Sequence, residues 1–230
     1  SDNETIYKNK NLLQLVPFLL SSFVTLICGY GLRTLSYNSE SMEKDLTRKD
    51  GFLLASLVWI FAGLFGSLPY IFSSINIYGI TQISFEPIFT ENIIVNSFFE
   101  AVSGITTTGA SVLSPFPDVA QHKLLIFWRS LTQWLGGIGI VLLVLIILPR
   151  ISVGIMQIAS DQEGTGPQKE RITPRIYQTG LTLFYIYAGL TLLLPCLLFF
   201  LGDMNLYDSI IHTFSTVSTG GFSSYPLNIE

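Results

Sequence analysis

Gly104-Ile105-Thr106-Thr107-Thr108-Gly109-Ala110-Ser111 and Ser215-Thr216-Val217-Ser218-Thr219-Gly220-Gly221-Phe222-Ser223 decide how the rest of this sequence is read. Each follows directly on an apolar stretch, residues 92–105 and 206–217. Neither stretch reaches the roughly 20 residues that a spanning helix needs, and segments of that length are more often buried or re-entrant. Aligning Thr108-Gly109 with Thr219-Gly220 gives a period of 111 residues. One Thr/Gly cluster alone reads more simply as a helix cap and turn. Two, each behind a short apolar helix and on the same expected side of a membrane, favour a duplicated helix-and-loop device, as many membrane transport folds contain.

Composition places the chain in a membrane. Of 230 residues, 49% are hydrophobic and only 12% charged, and the mean hydropathy is +0.52. A soluble domain carries about twice that charged fraction. The net charge of −4 does not set orientation, which follows the placement of Lys and Arg. No basic patch interleaved with aromatics exists, which excludes a nucleic-acid partner. Cys28 and Cys196 lie in apolar runs and read as packing residues. Residues 1–10 are polar, and the apolar run behind them lacks a small-residue cleavage site, so no signal peptide is expected. Asn3-Glu4-Thr5 fits a glycosylation pattern that often matches by chance.

Four spans are expected: residues 11–32; a helix beginning at Gly51 and bent or ended near Pro69; residues 119–148, carrying Lys123 and Arg129; and residues 176–202, kinked at Pro195. Arg33, Lys44, Arg48 and Lys49 lie between the first two spans. Arg150, Lys169, Arg171 and Arg175 lie between the last two, and residues 75–121 hold no Lys or Arg. The two basic clusters are therefore cytoplasmic, and the short helices enter from outside.

The chemistry of the loops suits a cation. Glycine reaches positive φ at low cost, which lets successive carbonyls turn toward one axis, where they replace an ion's hydration shell. Thr and Ser hydroxyls add uncharged oxygen ligands. A short helix aiming its C-terminal end at the loop contributes a partial negative charge. A neutral oxygen cage fits a large monovalent ion; a hard divalent ion would ask for carboxylates, and neither loop core has one.

On particular residues the sequence resembles the TrkH/TrkG/KtrB potassium-uptake family, in its TrkH-like branch (N-terminal half). They are Arg48-Lys49-Asp50-Gly51-Phe52, Phe98-Phe99-Glu100 leading to Thr106-Thr107-Thr108-Gly109-Ala110, and Gln133-Trp134-Leu135-Gly136-Gly137-Ile138-Gly139. Ile147-Leu148-Pro149, Thr173-Pro174-Arg175 and Phe214-Ser215-Thr216 through Gly220-Gly221-Phe222-Ser223 complete the set. The resemblance implies an all-α membrane protein of repeated span–pore helix–re-entrant loop–span units, potassium-channel-like, with four units around one pore. Residues 1–49 would form an N-terminal transmembrane helix and cytoplasmic loop, and 50–151 the first unit. Residues 152–172 would be a cytoplasmic linker, and 173–230 part of a second unit. The remaining C-terminal repeats would lie outside these residues, which close no pore alone. By motif, Thr107, Thr108 and Gly109, with Ser218, Thr219 and Gly220, would form the potassium-binding filter. Potassium would be cargo rather than a catalytic cofactor. The resemblance further implies a multi-pass protein of the cell (inner) membrane, a homodimer, and a cytosolic TrkA-like nucleotide-binding regulatory subunit.

Arg129 lies about ten residues into the third span, roughly 15 Å along it. A charge there is normally paired. An ion pair with Glu100, bracing the short helix against the span, and snorkelling to the outer surface stand as even alternatives. Gly136, Gly137 and Gly139 do not complete a dinucleotide fingerprint and read as small residues for close helix packing. Gly164-Thr165-Gly166-Pro167 reads as a turn. His212 is expected to be packed and hydrogen-bonded rather than a ligand, and His122 interfacial. No motif orders Ser, His and Asp for catalysis. A non-conducting structural subunit and an intramembrane enzyme are the alternatives to a potassium pore.

Overall fold

The structure, a computed structural model, describes residues 13–37, 48–75, 88–114, 116–119, 121–139 and 172–225. All regular structure among them is helical: α1 (Val16–Tyr37), α2 (Arg48–Gly66), α3 (Leu68–Ser74), α4 (Ile93–Ile105), α5 (residues 123–139), α6 (Ile172–Phe200) and α7 (Leu206–Val217). Among the described residues, three stretches are long and apolar enough to cross a membrane: Val16–Leu35, Leu53–Ser74 and Gln178–Phe200. The far part of the third predicted span (140–148), the predicted cytoplasmic linker with its Gly164–Pro167 turn, Arg150, Lys169 and Arg171, and Asn3 lie outside the described residues.

The second predicted span is broken in two. Pro69 has no N–H to give to the preceding turn, and the chain passes from α2 to α3 through a single turn residue, Ser67. The break leaves the Gly66 carbonyl accepting from the indole Nε1 of Trp128 at 3.1 Å, which ties α2 to α5. Pro195 lies inside α6, which continues past it to Phe200.

Burial runs opposite to that of a water-soluble domain. The buried residues of α4 are Ser97, Glu100, Ala101, Ser103 and Gly104, while Ile94 and Val95 are 71% and 67% exposed. In α7 Asp208, Ser209, Ile211, His212, Thr213 and Ser215 are buried, and Leu206 is exposed. Polar groups inside and bare aliphatic side chains outside are what an apolar solvent selects. Cys28 and Cys196, read from sequence as packed, are exposed on the same kind of surface; Cys196 still donates weakly to the Leu192 carbonyl at 3.4 Å. Burial follows from which face of a helix has neighbours, and an apolar run hides that face.

Helix α5 is the element on which the others converge. On one side Trp128 meets Phe18 of α1 edge-on at 6.0 Å, and the Leu124 N–H donates to Gln14 Oε1 at 3.3 Å. On the other, Trp134 donates to Thr191 Oγ1 of α6 at 2.9 Å and packs on Phe214 of α7 at 5.5 Å. The Tyr187 hydroxyl of α6 returns to the Trp134 carbonyl at 2.9 Å. His122, expected at the interface, is buried at 7% exposure and lines a small cavity together with Pro17 and Phe18 of α1. Packing of α2 on α4 depends on Gly63, where a Cβ would stand 2.8 Å from Val102 Cγ2 and 3.2 Å from Phe98. A Gly63→Val substitution is expected to destabilise the protein by about 1–3 kcal/mol through overpacking, read as a lower thermal unfolding midpoint in detergent.

Candidate functional site

The two short helices end in the same way. In a Schellman ending, the residue just past the C-cap is left-handed and donates back to the second-last turn position, and the next N–H donates one residue further back. At the end of α4, Thr107 N donates to the Gly104 carbonyl at 2.9 Å and Thr108 N to the Ser103 carbonyl at 2.9 Å. At the end of α7, Thr219 N donates to the Thr216 carbonyl at 3.0 Å and Gly220 N to the Ser215 carbonyl at 2.8 Å. The left-handed position is a threonine in both, with φ of 56° at Thr107 and 56° at Thr219. Glycine is the usual occupant there. A β-branched residue with positive φ is a genuine outlier, strained by about 1–3 kcal/mol, and such residues cluster at functional sites.

Two residues beyond each threonine comes a left-handed glycine, Gly109 (φ 76°) and Gly221 (φ 82°). The matching conformations therefore recur 112 residues apart, Thr107 with Thr219 and Gly109 with Gly221, and not at the 111 residues obtained by laying Thr-Gly on Thr-Gly. In this register Thr108 corresponds to Gly220, and Ser218 to Thr106. Gly220, the glycine singled out from the motif, is not left-handed. It lacks a side chain for space, because a Cβ there would overlap the amide of Gln133. The correct spacing is readable in the sequence once helix ends rather than the Thr-Gly pair are aligned, since Ser103 then matches Ser215 and Ser111 matches Ser223.

The two loops touch. A Cβ on Gly109 would overlap the carbonyl oxygen of Gly220, so the first loop comes against the second backbone to backbone. Thr108, Thr219 and Gly221 are exposed, Thr107 and Gly109 half-buried, and Ser218 and Gly220 buried. The Ser218 hydroxyl turns back onto its own helix and donates to the Phe214 carbonyl at 2.8 Å. Thr106 does the same to Val102 at 2.7 Å, and its oxygen lies 2.8 Å from that of Thr108.

Helix α5 holds both loops from behind. A Cβ on Gly136 would overlap the carbonyl oxygen of Ile105, the last residue of α4. One on Gly137 would lie 2.6 Å from the Tyr187 hydroxyl and 3.0 Å from Ser218 Cβ at the end of α7. The adjacent glycines thus seat one helix end each, whereas Gly139 meets only ordinary contact with Trp59 at 3.7 Å.

One to two turns earlier, Arg129 joins the descending limbs of the loops. Its Nε lies 3.1 Å from Glu100 Oε2, with 5% and 0% of the two side chains exposed. Glu100 Oε1 accepts from the Ser111 hydroxyl and the Val112 N–H, each at 2.6 Å. Arg129 Nη1 donates to the Ser223 carbonyl at 3.1 Å, and the guanidinium carbon stands 3.5 Å from the centre of the Phe222 ring. Position 212 corresponds to 100 in the 112-residue register, and there the second copy has His212 in place of the carboxylate.

Motif reading missed the cluster around Asp208. Its carboxylate accepts from the Ser224 hydroxyl at 2.8 Å, the Tyr225 hydroxyl at 2.7 Å and the Asn205 amide at 2.5 Å. Asn205 also caps α7, its Oδ1 accepting from Asp208 N at 2.9 Å. Buried His212 stands 3.5 Å from the Ser224 hydroxyl. These residues bring Ser, His and Asp together but not in catalytic order. The serine proton already goes to the carboxylate, whereas a triad needs the imidazole between them. The cluster anchors the second descending limb to α7, as Glu100 anchors the first to α4. Among the described residues no group of His, Cys, Asp and Glu is placed to hold a metal ion.

Comparison with known proteins bears on the whole segment. The model of the family described as "TrkH: Cation transport protein" matches residues 20–230. A Trk system potassium uptake protein TrkH from Vibrio parahaemolyticus is 36% identical over 213 residues, covering 91% of this chain and 39% of the relative. TrkH of Halomonas elongata is 40% identical over 189 residues, covering 81% and 35%. TrkH of Escherichia coli is 38% identical over 213 residues, covering 92% and 40%. The crystal structure of the potassium transporter TrkH from Vibrio parahaemolyticus superposes with a TM-score of 0.63 at 32% identity, over 96% of this chain and 41% of that one. The chain thus spans about two-fifths of the length of these relatives.

Breaking a buried ion pair from one side leaves an uncompensated charge and costs about 3–5 kcal/mol. Glu100→Gln and Arg129→Gln are each expected to lower the thermal unfolding midpoint strongly. The double substitution should cost less than the sum of the two singles, as the coupling in a double-mutant cycle will measure.

Proposed function

This chain belongs to the TrkH family of cation transport proteins, and from that premise we propose that it supplies part of the wall of a potassium-conducting pore in the cell (inner) membrane. The family is one of transporters, not enzymes. Residues 50–151 act as one span–pore helix–re-entrant loop–span unit and residues 173–230 as part of a second, with 1–49 preceding them and 152–172 linking them on the cytoplasmic side. The observation that carries this reading is the pair of strained helix endings, Thr107 and Thr219 left-handed in the same hydrogen-bond pattern, brought together where Gly109 meets Gly220. Strain of that kind, repeated in two separate segments, has no account in simple helix capping, which a glycine would serve at lower energy.

In this reading Thr107, Thr108 and Gly109 from the first loop, with Ser218, Thr219 and Gly220 from the second, form the filter, extended by register to Gly221. Backbone carbonyls provide most of the oxygen ligands. In this reading the exposed threonines Thr108 and Thr219 add hydroxyls, while Ser218 contributes through its backbone because its hydroxyl is committed to α7. The C-terminal ends of α4 and α7 point their partial negative charge at the loops, which favours a cation crossing without a fixed carboxylate. The Arg129–Glu100 pair braces the short helix against the span and fixes the limb behind the filter, and sits behind the ion path rather than in it.

A complete ring requires further repeats of the same protein, and the family premise adds a homodimer in the lipid bilayer with a cytosolic TrkA-like nucleotide-binding regulatory subunit as partners. A non-conducting structural subunit would need only helix packing and gives no reason for threonine at both left-handed positions. The deciding experiment is potassium uptake by the complete protein in cells lacking other uptake systems. Gly109→Asp and Gly220→Asp are each expected to abolish uptake or destroy its preference for potassium, since neither site has room for a Cβ. Normal selective uptake in both variants would refute the filter.

A further inference from the structure

Gln133 of α5 is fully buried, at 0% exposure. Its Oε1 accepts the Phe222 N–H at 3.2 Å. Its amide lies so close over Gly220 that a Cβ there would stand 2.5 Å from both Nε2 and Oε1. Its Nε2 has no hydrogen-bond partner among the described residues. A polar side chain buried this completely is ordinarily satisfied. Here one end of the amide is engaged and the other is pressed against the loop backbone.

The register between the loops gives this arrangement a meaning. Where the second loop has Gly220, the first has Thr108, a residue with a side chain of its own. The space a side chain at 220 would fill is taken by the Gln133 amide. Gly220, Gly221 and Phe222 form a run with little intrinsic preference for one conformation, because two successive glycines widen the accessible backbone space. Something outside the loop must hold the run in register. Arg129, one turn earlier on the same helix, grips the Ser223 carbonyl and the Phe222 ring. On the near side the Gly220 N–H is tied to the Ser215 carbonyl; on the far side Gln133 grips the Phe222 N–H, the first residue past the two glycines.

We infer that Gln133 is a positioning residue that determines ion specificity: its amide stands in for the missing side chain at Gly220 and fixes the spacing of the second loop's carbonyl oxygens. This rests on the pore reading above. A wider, freer carbonyl ring discriminates less between potassium and the smaller sodium ion, while leaving a path for both. Loss of the amide therefore alters selectivity before it alters flux.

The test uses the complete protein, with potassium and sodium fluxes measured in proteoliposomes for wild type, Gln133→Met, Gln133→Asn and Gly63→Val. Methionine keeps the length and volume but cannot accept the Phe222 N–H; asparagine keeps the amide but falls one methylene short. In both, potassium flux is expected to persist while the potassium-to-sodium ratio falls about five- to tenfold, the scale of one lost hydrogen bond. Gly63→Val presses on Val102 and Phe98 of α4 and not on Gln133 or the second loop, and is expected to lower stability with the wild-type ratio intact. A wild-type ratio in Gln133→Met overturns the inference; should that variant not reach the membrane, a wild-type ratio in Gln133→Asn does so. A fall in the ratio that Gly63→Val shares equally also overturns it, since general loosening then suffices. If wild type itself carries no potassium, or Gly220→Asp is selective, the pore reading fails instead.

Discussion

A guanidinium and a carboxylate shut away from solvent, Arg129 and Glu100, constrain everything around them. Neither charge survives at such depth unless its partners are complete. Glu100 uses its second oxygen on Ser111 and Val112 of the first loop, and Arg129 uses its outer nitrogen and its flat face on Ser223 and Phe222 of the second. Satisfying the pair therefore fixes α4, α5 and the descending limbs of both loops at once. Two segments far apart in sequence are thereby tied to each other through one pair of side chains, alongside the direct contact of Gly109 with Gly220.

That rigidity is what makes the strained helix endings tenable. Thr107 and Thr219 hold a backbone conformation that a free chain would leave. They persist because Gly136 and Gly137 let the two helix ends press against α5, and because the limbs beyond them are tied down. The anchors differ between the copies. The first uses a carboxylate facing an arginine, the second an Asp208 carboxylate satisfied by Asn205, Ser224 and Tyr225, with His212 where the first has Glu100. The backbone outcome is the same, so it is the loop geometry rather than any one anchor that the two segments share.

Much of this was legible in the residues. The short helices were bounded by apolar runs between polar neighbours, and α7 runs from Leu206 to Val217 as the pattern indicates. The helix break near Pro69 follows from the missing N–H, and the membrane class from composition; the all-α architecture came with the resemblance. The copies repeat at 112 residues and not at the 111 of the Thr-Gly pair, because that pair is a chemical match and not a structural one. Gln133 stands in a motif that names a family without saying what the amide touches, and Asp208 stands in no motif at all; the importance of each arises from its contacts.

Which segments are apolar, how long they are, where proline and glycine interrupt them, and that two Thr/Ser/Gly clusters follow short helices can all be read along the chain. These are properties of neighbours along the chain, set by transfer from water and by local backbone sterics. That Gly220 is small for the sake of Gln133, that Gly221 rather than Gly220 is left-handed, that His122 is buried, and that Arg129 reaches both loops emerged from the folded arrangement alone. Those outcomes depend on which atoms of distant segments compete for the same volume and the same hydrogen-bond partners, and that competition exists only once the chain has closed on itself.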